Sequence, residues 1–342
     1  MKTIKIPNII LAIRHIANNA SSSLKGFAGN KLTSHRPELM AKICALCMTV
    51  MLGAQTANAQ QDLLLSQEIF SRVNKNPAAT GNTEDVDIFL HGRIQWAGID
   101  NGPRTSVLNV TNYVDKWKSG MGFTMSFDKL GVGHNSTNIK LVYAYQVDLS
   151  EQYVLSMGLG AGVNLGHFDP GANDLDDQSE YGTDTYAAES DTEVKPDFDF
   201  GLELSNEKWT LGASVTHLTR SEMTTYAPER HYYVYGTTLF PLNDTWELAP
   251  TVSYMHRNKT NVMEVGSLVF YDRTIWGGAT LRPDLNNYFN PSMLVLTLGF
   301  EWNKLRFGYS FDLGLGKLTE ISSTTHEIIL SYGIDKSKRK GK

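Results

Sequence analysis

The chain has 342 residues, with 31 Lys/Arg against 36 Asp/Glu and a formal charge of −5. Seven of those bases and one of the acids lie in the first 59 residues, so the remainder carries −11, which disfavours nucleic acid, whose recognition asks for a basic stripe. Both cysteines, Cys44 and Cys47, fall in the same stretch, which leaves the rest without disulfides or a thiolate metal site.

Residues 1–59 read as a targeting sequence. Lys42 supplies a positive charge, residues 43–52 an apolar core, and Ala57-Asn58-Ala59 a small-residue cleavage site, which predicts a processed chain beginning at Gln60. That core is too short for a spanning helix, which needs about 20 residues. A basic stretch, residues 1–39, precedes a complete signal peptide that could itself start at Met40. Residues 60–84 contain Phe70 and Asn76-Pro77-Ala78-Ala79-x-Gly81. They are too polar to span and too patterned for a linker; a plug and a periplasmic docking arm are the two readings.

From Val86 to Tyr332 one pattern recurs about fourteen times: nine to eleven residues alternating apolar with polar or small, then a turn rich in Gly, Asn, Asp or Pro. Met121-Gly-Phe-Thr-Met-Ser-Phe127 and Leu305-Arg-Phe-Gly-Tyr-Ser-Phe311 are clear copies. A period of two sends one set of side chains to each face of a sheet. The predicted strands are 85–96, 105–114, 120–128, 137–146, 153–167, 197–205, 209–217, 230–240, 246–257, 262–271, 274–282, 293–302, 305–312 and 326–332. The even count suits a bacterial single-chain barrel. In 293–302, Leu294, Leu296, Leu298 and Phe300 form the predicted lipid face, and Val295, Thr297 and Gly299 the inner one.

The connections alternate in length. One set, 97–104, 129–136, 168–196, 218–229, 258–261, 283–292 and 313–325, is long in all but one case; the other, 115–119, 147–152, 206–208, 241–245, 272–273 and 303–304, is short throughout. Membrane barrels have long extracellular loops and short periplasmic turns, so the pattern predicts an all-β outer-membrane barrel of about 14 antiparallel strands with both termini periplasmic. Tyr113, Trp117, Tyr153, Trp209, Trp246, Tyr271 and Trp302 cluster beside the short turns, as an interfacial girdle would. Outer-membrane lipids are then the first partner.

Charges on the lipid face would cost about 2–4 kcal/mol each at midplane for Arg or Lys. Arg93, Lys140, Arg282 and Arg306 are therefore expected inside, with Asp128, Asp199, Glu203, Glu301, Asp312 and Glu327. Both signs together allow internal pairing, the favoured reading, or a charged channel. The glycines Gly158, Gly160, Gly162 and Gly166 fall on the same face and read as curvature and packing room. The 168–196 connection and the adjoining Asp197 carry ten acids against one base, Lys195. Its Asp174-x-Asp176-x-Gln178-x-Glu180 run has Ser179 and Thr185 where a calcium loop needs Gly and Glu, so a solvated acidic loop is expected. Beyond residue 59, seven histidines, His91, His134, His167, His217, His231, His256 and His326, scatter without a nucleophile motif. No phosphate loop or metal spacing appears, so no enzyme, cofactor or metal is expected. The basic tail, residues 333–342, reads as solvated.

These residues resemble the PorP/SprF family of outer-membrane proteins of the type IX secretion system. The resemblance is carried by Asn76-Pro77-Ala78 with Gly81, by Arg93-x-Gln95-Trp96-x-Gly98 and by Gly102-Pro103-x-Thr105. Asp128-Lys129-x-Gly131, Ser214-Val215-Thr216-His217-Leu218, Trp276-Gly277-Gly278-Ala279-x-x-Arg282 and Gly308-Tyr309-Ser-x-Asp312 follow in order, then His326-Glu327-Ile328 and Leu330-Ser331-Tyr332. It spans residues 67–332, departing at Ala79-Thr80, where an aromatic is common, and in the acidic loop. The resemblance implies a non-enzymatic component of secretion or gliding. It also implies partners: a periplasmic lipoprotein ring, an OmpA-like peptidoglycan-binding protein, or the C-terminal domains of secreted cargo. Asn76, Pro77, Gly81, Arg93, Gln95, Trp96, Gly98, Pro103, His326 and Glu327 become structural or docking candidates. The rival readings are a passive small-solute channel and a structural envelope anchor.

Overall fold

The computed structural model describes residues 65–83, 86–99, 101–131, 133–168, 191–219, 228–258, 260–285, 290–315 and 324–334. The predicted leader with its cleavage point, residues 169–190 of the acidic loop and the tail 335–342 lie outside the described residues.

The strands are β1 Val86–Ile94, β2 Arg104–Val114, β3 Ser119–Lys129, β4 His134–Asp148, β5 Val154–Phe168, β6 Asp191–Ser205, β7 Trp209–Thr216 and β8 His231–Thr238. After these come β9 Phe240–Pro241, β10 Trp246–Arg257, β11 Thr260–Tyr271, β12 Ile275–Asp284, β13 Asn290–Trp302, β14 Leu305–Gly314 and β15 Thr325–Ile334. Each pairs antiparallel with its neighbours, and β1 closes the ring against β15 from Val86↔Ile334 to Ile94↔His326. The two-residue β9 continues β8 along the same partner, β10, after a break at Leu239, whose N–H turns to Lys208 C=O at 2.6 Å. Fourteen staves therefore span, as the alternation predicted. Closure removes the free edges that a bilayer could not hydrogen bond.

Burial alternates along the staves as the period of two demands. In β13 Leu298 is 59% exposed and Leu296 46%, while Val295 and Thr297 are 0% and 7% exposed, matching the predicted faces. At the short-turn end, exposed Trp117, Tyr153, Trp246, Tyr271 and Trp302 ring the wall. Trp246 stacks edge-on to Tyr271 at 4.9 Å, and Tyr153 lies 5.7 Å from Trp209.

Several strand ends shift by one to three residues, and two connections differ more plainly from the sequence reading. The connection expected over 129–136 shrinks to a tight turn, because Lys129 still pairs with Asn135 and Gly131 and Gly133 take φ of +92° and +77°. β6 begins at Asp191 rather than 197: Asp191 to Pro196 pair with Phe168 to Val163 of β5. Beyond the apolar band, charged side chains meet water and cost the sheet nothing, so acidic composition does not stop the strand.

Candidate functional site: the barrel interior and its inner segment

The inward charges meet as ion pairs. Arg93 Nη2 donates to Asp312 Oδ2 at 3.1 Å, Arg282 Nη1 to the same oxygen at 2.9 Å, and Arg93 Nη1 to Glu327. His91 Nε2 completes that group, 3.1 Å from Glu327 Oε2. A second cluster holds Lys140 Nζ 2.7 Å from Asp199 Oδ2 and 2.9 Å from Asp197 Oδ2, with His217 Nδ1 at 2.7 Å from Asp197. Arg306 pairs with Glu301 at 2.7 Å. Internal pairing, the favoured reading, is what the interior contains. A buried charge is tolerable only when paired and hydrogen bonded, and these are.

Residues 65–82 run through this interior and touch it on every side. Ser66 N–H donates to Glu327 Oε2 at 2.8 Å, and its Oγ lies 2.8 Å from Glu327 Oε1 and 3.0 Å from both Asp312 Oδ1 and Arg282 Nη2. Phe70 packs on Trp276 with centroids 4.6 Å apart, beside Ala249 and Leu268, and under the Arg306 guanidinium at 4.9 Å. Asn109 Nδ2 reaches Ser71 Oγ at 2.9 Å. Arg72 makes a two-point contact with Glu203, Nε to Oε2 at 3.0 Å and Nη2 to Oε1 at 3.2 Å. Tyr235 Oη and Asn82 Nδ2 also donate to Glu203, which is 1% exposed. Burial works against the charge of Arg72, but Glu203 and Tyr235 beside it outweigh that and hold the guanidinium above its ordinary pKa. Lys75 pairs with Glu68, and its backbone C=O accepts from Ser214 Oγ.

Asn76 explains the Asn-Pro pattern. Its Oδ1 caps the 3₁₀ turn Pro77–Ala79 by accepting from Ala78 N–H at 2.9 Å, and its Nδ2 donates to Leu202 C=O and Tyr235 Oη, both at 3.0 Å. Pro77 sits at the first position of that turn, where a missing N–H costs nothing.

Four inward glycines on four staves fit the segment. A Cβ at Gly158 would overlap the backbone of Pro77 and Ala78, at Gly201 the Asn76 side chain, at Gly120 the Thr80 carbonyl and at Gly308 the Gln67 side chain. Gly81 answers Gly120: it adopts φ +78°, and its own Cβ would strike Gly120 Cα. Among the described residues, two cavities lie beside the segment. One, of about 60 Å³, lies toward Thr251 and Glu264; the other, of about 40 Å³, lies toward Asn138 and Asn164. Each has room for a few waters.

The remaining candidates lie elsewhere. Gln95, Trp96, Gly98 and Pro103 build the β1–β2 connection at the long-loop end, where Gln95 N–H donates to Pro103 C=O at 2.9 Å. Trp96 and Gly98 have φ of +53° and +99°, and the Gln95 side chain faces the Arg93 guanidinium. His326 and Glu327 part company: Glu327 is 0% exposed inside, whereas His326 meets Tyr309 Oη at 2.6 Å and packs beside Phe311 on the other face. The structure thus brings Asn76, Pro77, Gly81, Arg93 and Glu327 into the interior and leaves five candidates out of it. Ser66, Arg72 and Tyr235 were not singled out by sequence; Glu203 and Gly158 were, without their partners. The available signal was glycine on an inner face opposite a charged stave.

A closed antiparallel barrel with an apolar outer band, aromatics at its rim and ion pairs within is an outer-membrane β-barrel protein. The chain belongs to the family of type IX secretion system membrane proteins PorP/SprF, whose model matches residues 57–332. Among solved structures it is similar to the outer membrane protein Omp33 of Acinetobacter baumannii, at 8% identity and TM-score 0.44 over 73% of this chain and 99% of that one. It is also similar to the P. putida toluene transporter TodX, at 8% identity and TM-score 0.47 over 76% and 92%. The KdgM porin follows at 10% identity and TM-score 0.34 over 73% and 100%. No curated protein matches the chain.

Proposed function

We propose that this protein is a non-enzymatic, permanently plugged barrel of the type IX secretion machinery, serving as a docking component and not as a pore. Residues 65–82 are the plug, the long loops face the cell surface and both termini lie in the periplasm. Its partners are a periplasmic lipoprotein ring or an OmpA-like peptidoglycan-binding protein, and the C-terminal domains of secreted cargo. One observation carries this reading: four staves forgo a side chain where the inner segment passes, and a Cβ at any of them would overlap it. A channel that opened by releasing the segment would have no use for so close a fit. A buried ion pair from Arg72 to Glu203 and hydrogen bonds from Ser66 to Glu327 then support its register.

The test has two arms. Purified barrel reconstituted in a planar bilayer is expected to give no steady conductance, whereas a variant lacking residues 65–82 that still assembles conducts. In cells, deletion of the gene abolishes surface display of a specific large cargo and leaves small-solute uptake intact. Steady conductance by the intact protein, with cargo display unaffected by deletion, would establish the passive channel instead.

A further inference from the structure

We propose that the outer wall at β1–β3 seats one molecule of a phosphorylated glycolipid, its acyl chain in a recess over Gly92 and Ser106 and its phosphate between Arg104 and Lys129. The inference rests on the reading that the long loops face the cell surface. That end of the wall then lies in the outer leaflet, whose lipid is of this kind.

Gly92 of β1 and Ser106 of β2 are direct cross-strand partners on the lipid face. Their neighbours in the same row are Ile328 of β15 and Phe127 of β3, and in the next row stand Leu90 and Leu108. Two small residues side by side among bulky apolar ones leave a recess of about 400 Å³, larger than either interior cavity. A Cβ on Gly92 would meet nothing within 4 Å, so the floor is open above that residue. Large side chains give a lipid-facing wall its apolar surface, and here the wall forgoes two of them together.

Charge names the occupant. Two residues toward the long-loop end, about 7 Å along the strands, Arg104 and Lys129 stand opposite each other on β2 and β3. Alternation places both outside. Val107 and Asn109 mark the inner face of β2, and Asp128, between Phe127 and Lys129, turns inward to Thr105. Among the described residues, neither cation has a hydrogen-bonding or ion-pairing partner for its side chain. Like charges directly opposite destabilise a sheet, and a phosphate held between them removes that repulsion. A phosphate monoester carries a charge of about −1.5 to −2 and answers both cations, whereas a zwitterionic head group brings a cation of its own. The acyl chain below the phosphate then lies over Ser106 and Gly92, between apolar walls.

The probe is lipid A, added to the full-length barrel in mild detergent and read by native mass spectrometry beside its dephosphorylated form and phosphatidylcholine. One lipid A per barrel is expected, with weaker retention of both controls and weaker binding as salt rises. Arg104→Gln with Lys129→Gln is expected to lower affinity about 25-fold, about fivefold for each cation. Gly92→Leu fills the recess without altering charge and is expected to reduce binding too, which separates a built site from a merely basic rim. Ser106→Leu serves in its place if that variant assembles poorly. Equal retention of lipid A and its dephosphorylated form, or binding unchanged in either the charge or the recess variant, overturns the proposal. So does self-association that Gly92→Leu abolishes, since the recess would then seat a second copy. Conductance, cargo display and whole-cell epitope labelling do not enter these measurements, so the docking and topology readings stand or fail separately.

Discussion

Gly158→Val tests whether the inner segment is seated or merely accommodated. The added side chain would enter at Pro77 and Ala78, where backbone and not a flexible side-chain end stands in the way. Overpacking of this kind costs about 1–3 kcal/mol. Were that cost expressed wholly as unseating, the displaced population would rise about 5- to 150-fold. The wall itself should bear little of it, because the atoms nearest the added Cβ all belong to Pro77 and Ala78, and the cross-strand neighbours Ala144 and Gly201 are small. Gly92→Val is the matched control: it faces outward with nothing within 4 Å of its Cβ. Heat-modifiable mobility on gels reports assembly, and limited proteolysis with bilayer conductance reports the segment. Gly158→Val is expected to assemble, to gain cleavage within residues 65–82 and to pass intermittent current, while Gly92→Val matches the unmodified protein. Equal protease protection and equal silence in the two variants would refute the argument that close fit holds the segment.

Leu298→Arg puts a charge on the lipid face at a cost of about 2–4 kcal/mol and should sharply reduce the heat-modifiable form, whereas Leu298→Val should not. An epitope inserted within 169–190 should label on whole cells and one within 242–245 only after the outer membrane is opened; the reverse labelling would invert the topology. Arg72→Met should lower stability to denaturant by about 3–5 kcal/mol, since it strands Glu203 in the interior, and adding Glu203→Gln should recover much of that loss. Intact mass of the membrane-extracted protein should place its first residue at Gln60, and retention of residues 40–59 would contradict the predicted cleavage.

The wall was legible in the sequence because two constraints write it there. Alternation must persist wherever one face meets lipid, and a misplaced charge is expensive, so Leu296 and Leu298 against Val295 and Thr297 could be assigned without coordinates. Strand ends were less legible. Outside the apolar band neither constraint operates, which is how Asp191 to Pro196, acidic and interrupted by proline, could be strand while reading as loop. The interior segment was barely legible. Its partners lie 131 residues away for Arg72 and Glu203, and 261 for Ser66 and Glu327. Local pattern carries no information across such distances. Gly158 shows the limit: its place on the inner face was readable, but that it faces Pro77 and Ala78 was not.

The segment is held mainly by polar contacts, and that choice has consequences. An apolar plug in a polar barrel would leave Glu203 a buried carboxylate without its guanidinium partner. Instead Arg72, Asn82 and Tyr235 converge on Glu203, while Ser66 and Arg93 converge on Asp312 and Glu327. Segment and wall therefore complete each other's hydrogen bonding, and neither is well satisfied alone. Such networks add specificity more surely than stability, since a well-packed apolar replacement is often neutral or better. What they exclude is a segment seated in another register, because each carboxylate accepts from donors on particular residues. The apolar contact of Phe70 on Trp276 adds burial at one end, where no charge needs answering. Position is set by the charges and closeness by the glycines, a division of labour suited to a filling that stays in place.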